Sequence, residues 1–205
     1  MAALLFNLGV AMNPTSGQQV SNTFEDKELQ LFHERVIGDW KKPRPYNWLR
    51  YRNEYLQLIK ERAIQPLWGF KDPRIAFMFG DVINTVNVYD SDIRVVHIMR
   101  HPLESAMSLM RANPGLDYDQ AMDITFRYVA AIDKALERFI GLLTGFHYRK
   151  VLLLPDEEIK RLARFLGVDY RPEIADIVHP ELCHFKWEEI ERKWNIVGMQ
   201  KDLNC

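Results

Sequence analysis

The chain has 205 residues, 47% hydrophobic and 27% charged, with a formal net charge of -1. That length suits one domain with a substantial core, and that composition excludes a disordered chain. Near-neutral charge argues against a general binder of nucleic acid, so any nucleotide pocket must be locally basic.

Residues 2–8 read as a short helix stopped by Gly9, and 13–22, rich in Ser, Gly, Gln and Pro, as a loop. Residues 26–37 read as a helix with Leu29, Phe32, Val36 and Ile37 on its apolar side. Pro43 and Pro45 break the chain after it. A second helix is expected over 51–63, a strand over 65–70, a short helix over 75–86 and a strand over 93–99. Residues 123–143 carry Ile124, Tyr128, Ile132, Leu136, Phe139, Ile140 and Leu143 at helical spacing. A last strand is expected at 145–149. A helix from Asp156 then places Ile159, Leu162, Ala163 and Leu166 inward, with Gly167 as its stop. Trp187, Ile190, Trp194 and Val197 form a final helical stripe. Strands alternating with helices indicate an α/β layered sheet. One domain over 1–205 accommodates this order: a helical part at 1–40, an aromatic and basic loop with a helix at 41–64, an α/β core at 65–168 and a helical extension at 169–205.

Cys183 and Cys205 supply neither a disulfide framework nor a metal-ligand spacing, which suits a reducing compartment. No apolar run approaches the ~20 residues that span a bilayer, and the apolar start lacks a basic leader or cleavage site. A cytoplasmic protein without a membrane partner is the expectation.

The most informative stretch runs from Ile93 to Met110. Its β-branched run ends at Arg100, and Pro102 sits where a first helical turn tolerates a missing N–H. Ser108 follows about two turns later on the same side of that helix. A guanidinium, a hydroxyl and a helix N-terminus together form an anion pocket, at the sheet edge where open α/β folds bind ligands.

This Arg-x-Pro-x-x-x-x-x-Ser pattern resembles the element with which the sulfotransferase family holds the 3′-phosphate of 3′-phosphoadenosine 5′-phosphosulfate (PAPS). Trp68 to Arg74 resembles the Lys-Asp-Pro-Arg strand end of bacterial-type and carbohydrate sulfotransferases. His147 to Val168 resembles the family's late strand–loop–helix, and Phe24-Glu25-Asp26 its acidic segment after the first helix. The order of these segments is the family's, and the likeness covers roughly residues 1–185. It implies a P-loop-NTPase-like three-layer fold with a mostly parallel sheet. The family's opening strand and Gly-x-x-Arg-Ser-Gly-Thr loop have no counterpart here, because Met1 to Val10 resembles only the helix that follows them. A missing central strand would leave a gap that a second copy could fill, giving a homodimer.

The resemblance also assigns roles. Arg100 and Ser108 would hold the 3′-phosphate, with His184 and Lys186 closing over the nucleotide. Lys71 would offset charge on the leaving phosphate and Glu25 would act as base, with His101 as a second candidate. Arg74 would orient a carbohydrate or small-molecule acceptor, and Trp48, in the basic aromatic segment 40–52, would belong to an acceptor-side lid. No metal is required, since sulfuryl transfer, like phosphoryl transfer, rests on in-line placement and charge stabilisation. Each residue also has an ordinary reading: a strand-end ion pair for Arg100, a helix-surface serine for Ser108, a first-turn carboxylate for Glu25, a solvated turn for Lys71, and packing for His97 and the tryptophans. Two competing functions remain: a noncatalytic relative that binds a partner, and a nucleotide kinase. The absence of any Gly-x-x-x-x-Gly-Lys-Ser/Thr loop disfavours the kinase.

Overall fold

The computed structural model describes residues 1–12 and 24–179. Helix α1 (Ala2–Asn7) ends just before Gly9, whose φ of 92° suits a residue without a Cβ. Helix α2 (Lys27–Ile37) starts where the Asp26 carboxylate accepts the N–H groups of Glu28 and Leu29, each at 3.1 Å. Gly38, at φ 74°, closes it. Helix α3 (Arg52–Arg62) follows the proline break. Asp72 then caps a 3-10 turn at Pro73–Phe77 by accepting the Arg74 N–H, and α4 (Phe79–Val86) continues from it.

Strand β1 (Arg94–Met99) leads through Arg100 and His101 into α5 (Pro102–Ala112), with proline in its first turn. Helix α6 (Tyr118–Glu137) opens with a capping box between Asp117 and Gln120. Strand β2 (Leu142–His147) returns parallel to β1, pairing Arg94 with Leu142 and Met99 with His147. Helices α7 (Tyr148–Leu153) and α8 (Pro155–Leu166) follow, and Gly167 ends α8 in the left-handed conformation. The class is α/β: a two-stranded parallel sheet flanked by helices. Because β1 and β2 run parallel, both deliver their carboxyl ends to one edge.

Two main cores support that edge. One joins α1, β2 and α8 through Leu4, Leu8, Phe146, Ile159 and Leu162. The other joins α2, α3 and α4 through Phe32, Ile37, Tyr55, Ile59 and Val82. A smaller cluster of Leu103, Ala106, Ala121 and Met122 locks α5 to α6. Burial of four successive inward positions of α8 follows its helical period as the sequence indicates.

Four expected elements differ. The strand over 65–70 is an irregular segment with one parallel bridge, Trp68 to Ala11. Pro66 withholds an N–H there, while Gly69 lets the backbones approach: a Cβ on it would lie 3.1 Å from Val10 Cγ1. The helix over 75–86 is split at Met78 into the 3-10 turn and α4. The helix expected over 123–143 starts earlier and stops at Glu137, leaving Ile140 fully exposed and handing Leu142 and Leu143 to β2. Gly141 makes this turn possible, since a Cβ there would meet the Phe139 ring at 2.4 Å. Strand β2 spans Leu142–His147, so the strand read at 145–149 starts and ends earlier and is one residue longer. The loop at 13–22 and the stripe from Trp187 to Val197 lie outside the described residues. No helix among the described residues is long and apolar enough to cross a membrane.

Candidate functional site

Arg100 leaves the end of β1 beside the first turn of α5. Its Nη2 lies 3.3 Å from Oε1 of Glu104, whose side chain is 1% exposed. A second guanidinium, from Arg149 just beyond β2, approaches the same oxygen at 3.5 Å. The Arg100 guanidinium also lies 4.5 Å from the ring centroid of Tyr148, a cation–π contact that fixes its plane. Its Nε is buried and has no partner among the described residues. Two cations thus approach one carboxylate at a helix N-terminus. His101, just before that helix, responds to the same charges. Burial holds its imidazole below the ordinary histidine range, Glu104 pulls it up and Arg149 pushes it down again.

A cavity of about 550 Å³ opens beside Arg100, between the sheet end, the turn at Pro73–Phe77, α5 and α6. Its volume is that of a small-molecule site. Glu25, Arg74 and Arg100 border it together, so the fold gathers three residues that the sequence places in the site. Lys71 joins them by donating to Oε1 of Glu25 at 2.6 Å. The proposed cation and the proposed base are therefore in direct contact. Ser105, rather than Ser108, lines this cavity; Ser108 is half-buried one turn further along α5.

Buried charges set this geometry. Arg62 binds both oxygens of Asp26, at 2.6 and 2.7 Å, with both side chains 1% exposed. That pair ties the start of α2 to the end of α3 and so fixes Glu25, the residue before Asp26. Asp72 receives Nδ1–H of the fully buried His33 at 2.9 Å, and the Tyr55 hydroxyl donates to His33 Nε2 at 3.2 Å. Arg74 donates to Asp72 at 2.9 Å and to Glu34 at 2.7 Å. Burial would raise the Asp72 carboxyl, but hydrogen bonding from His33 and the nearby Arg74 outweigh it and hold it below the usual carboxylate range. Burial drives the Tyr55 phenol well upward, assisted by Asp72. The chain Tyr55–His33–Asp72 thereby aims Arg74 at the cavity.

Other residues fall elsewhere. Trp48 packs edge-on against Phe32 and Tyr55, ring centroids 6.2 and 5.2 Å away, within the α2–α4 core rather than on the cavity wall. His184 and Lys186 lie outside the described residues. Sequence reasoning missed Arg149 and Tyr148, because β2 was read as running on to Arg149, two residues past its end, which turned them into strand positions. It also missed Glu104, although its spacing of four from Arg100 on a helix is a readable signal. His97 and Asp133 line the far part of the cavity, where burial lowers the His97 imidazole and Asp133 partly restores it. Among the described residues no cluster of His, Cys, Asp or Glu could hold a metal ion.

No family model matches the chain, and neither does any curated protein or solved structure.

Proposed function

We propose that this chain is a sulfotransferase of P-loop-like descent that moves a sulfuryl group from PAPS to a hydroxyl of a carbohydrate or small-molecule acceptor in the cytoplasm. The observation that carries the reading is one continuous site: Arg100 at the sheet edge borders the same cavity as Glu25, whose carboxylate holds Lys71. The residues suit the donor's 3′-phosphate end, since the guanidiniums of Arg100 and Arg149 both stand at that edge and reach solvent. When bound, PAPS supplies an activated sulfuryl group and leaves as adenosine 3′,5′-bisphosphate.

The chain's own groups then divide the work. Arg100 binds the ribose-linked phosphate. Lys71 lies where a cation can exchange Glu25 for oxygens that gain charge during transfer. Glu25, once released, is placed to take the acceptor's hydroxyl proton, with His101 as the alternative base. Arg74, fixed through Asp72 and Glu34, orients the acceptor. The cavity wall beyond them is largely apolar, with Ile98, Met99, Val129 and Ile132.

A noncatalytic relative is the second reading. The short Glu25–Lys71 contact favours it, because a base and a cation neutralising one another do no chemistry. Calorimetric titration with adenosine 3′,5′-bisphosphate tests both. Binding that Arg100→Ala abolishes supports the nucleotide site, and turnover with a hydroxyl acceptor separates enzyme from relative. Absence of heat from a folded protein overturns the sulfotransferase reading, and tighter binding of ATP than of the bisphosphate favours the kinase.

A further inference from the structure

We propose that the slot between α4 and the last turns of α6 is a second ligand site, built for a small planar aromatic carboxylate. The proposal stands apart from the sulfotransferase reading and uses none of its residues.

The slot is a cavity of about 800 Å³ at the amino ends of the strands, beside Ile93 before β1 and Gly141 before β2. That volume is within the range of small-molecule sites. Small residues on both helices give it width: Gly80 on α4, and Ala131 and Ala135 on α6. A Cβ added at Gly80 would meet nothing within 4 Å, so the space there is open. Rings supply the apolar wall. Phe79, which opens α4, meets Phe139 edge-on, with centroids 5.6 Å apart and planes at 81°. Phe77 stands edge-on to Tyr128 at 4.7 Å, and Ile140 in the same lining is fully exposed. A flat apolar ring gains both burial and ring contact in such a slot.

Charge sets the sign of the ligand. Lys134 and Arg138 are four residues apart and line the slot from one face of α6. Both are exposed, and neither has an ion-pair partner among the described residues. Asp81 is the one carboxylate in the lining, and it is already engaged: the Tyr46 hydroxyl donates to its Oδ2 at 2.8 Å. Burial and Asp81 push the Tyr46 phenol above its ordinary range, so it stays a donor. A carboxylate whose ring enters the slot leaves its oxygens at the two cations. Cations near a helix C-terminus also offset the helix dipole. That role needs neither the rings nor the cavity beside them.

The test titrates the full chain with 2-naphthoate and with 2-naphthamide, its neutral isostere, by calorimetry. Naphthoate should bind about tenfold more tightly, since two exposed cations favour the anion. Lys134→Gln with Arg138→Gln should reduce naphthoate to the affinity of the amide and leave the amide unchanged, which a merely structural loss would not do. Gly80→Leu fills the open space from a helical position and should abolish binding of both probes, with the melting temperature unchanged or raised. Arg100→Ala should bind naphthoate as wild type does, which separates this slot from the cavity at the strands' carboxyl ends. Equal affinity for the two probes, no heat from either, or naphthoate binding that survives the double variant overturns the proposal.

Discussion

The α2–α3 junction and the sheet edge both bury charge, at different depths. At the junction the buried Arg62 faces Asp26, Glu28 and Glu61, and nearby Arg74 faces Asp72 and Glu34, so several carboxylates surround each guanidinium. At the sheet edge the guanidiniums of Arg100 and Arg149 approach one oxygen of Glu104 and keep 22% and 28% of their side-chain surface exposed. The first arrangement is closed: every cation is satisfied within the fold, and the product is rigidity. The second is open, because its two cations reach solvent and an anion can approach them there. Ion pairs of similar length thus differ in use, and the exposure of the cations tells scaffold from site.

The largest effect should come from breaking the closed network. Asp26→Ala removes the one buried carboxylate from the buried Arg62 and leaves it the largely exposed Glu28 and Glu61, a defect worth about 3–5 kcal/mol. Urea unfolding should show that loss, with little recovery in low-millimolar phosphate because the Arg62 side chain is only 1% exposed. A drop below 1 kcal/mol would mean the pair is not what fixes the start of α2.

Glu104→Gln at the open site should cost less, about 1–3 kcal/mol, since a neutral amide can still accept from one arginine. Here phosphate should return part of the lost stability, as an external anion replaces the internal one. If phosphate rescues Asp26→Ala as well as it rescues Glu104→Gln, the distinction between closed and open networks fails.

What the sequence disclosed follows the same division. Arg100, Glu25, Lys71 and Arg74 were legible because each sits at an element end set by local signals: Pro102 in a first helical turn, Asp26 as a cap, the Asp72-Pro73 turn. Helix α8 was legible from its apolar period and Gly167. Arg149 was not, because its place depends on where β2 stops. Helix α7 takes over at Tyr148, and the strand's start at Leu142 follows the Phe139 ring closing on Gly141, a contact local in the chain but invisible to periodicity. Trp48 was read as a lid residue from its basic neighbours, yet the rings of Phe32 and Tyr55 recruit it to the core, where aromatic packing outweighs the neighbouring charges. Ser105 and Ser108 differ by one helical turn, and only the position of α6 decides which of them meets the cavity.

The smallest expected effect, in pH dependence, would sharpen the comparison most. His97 and His101 near the open site both titrate below the usual histidine value in the folded chain, chiefly through burial. Above about pH 6.5 both states are neutral and the two histidines contribute nothing to the pH slope. As pH falls through 6.5 the unfolded chain takes up protons first, so stability declines between that value and the lower folded ones. Asp72 in the closed network behaves differently. Its folded value lies below 3.8, so its contribution is complete above that pH and is lost only as pH drops toward the folded value. Acid unfolding should therefore show two separate declines, a shallow one below pH 6.5 and a steeper one below pH 4. His97→Gln with His101→Asn should flatten the first and leave the second in place, and His33→Gln should weaken the second by removing a hydrogen bond that holds Asp72 down. A single decline, or a first step untouched by the double histidine variant, would show that the two charge networks do not titrate independently.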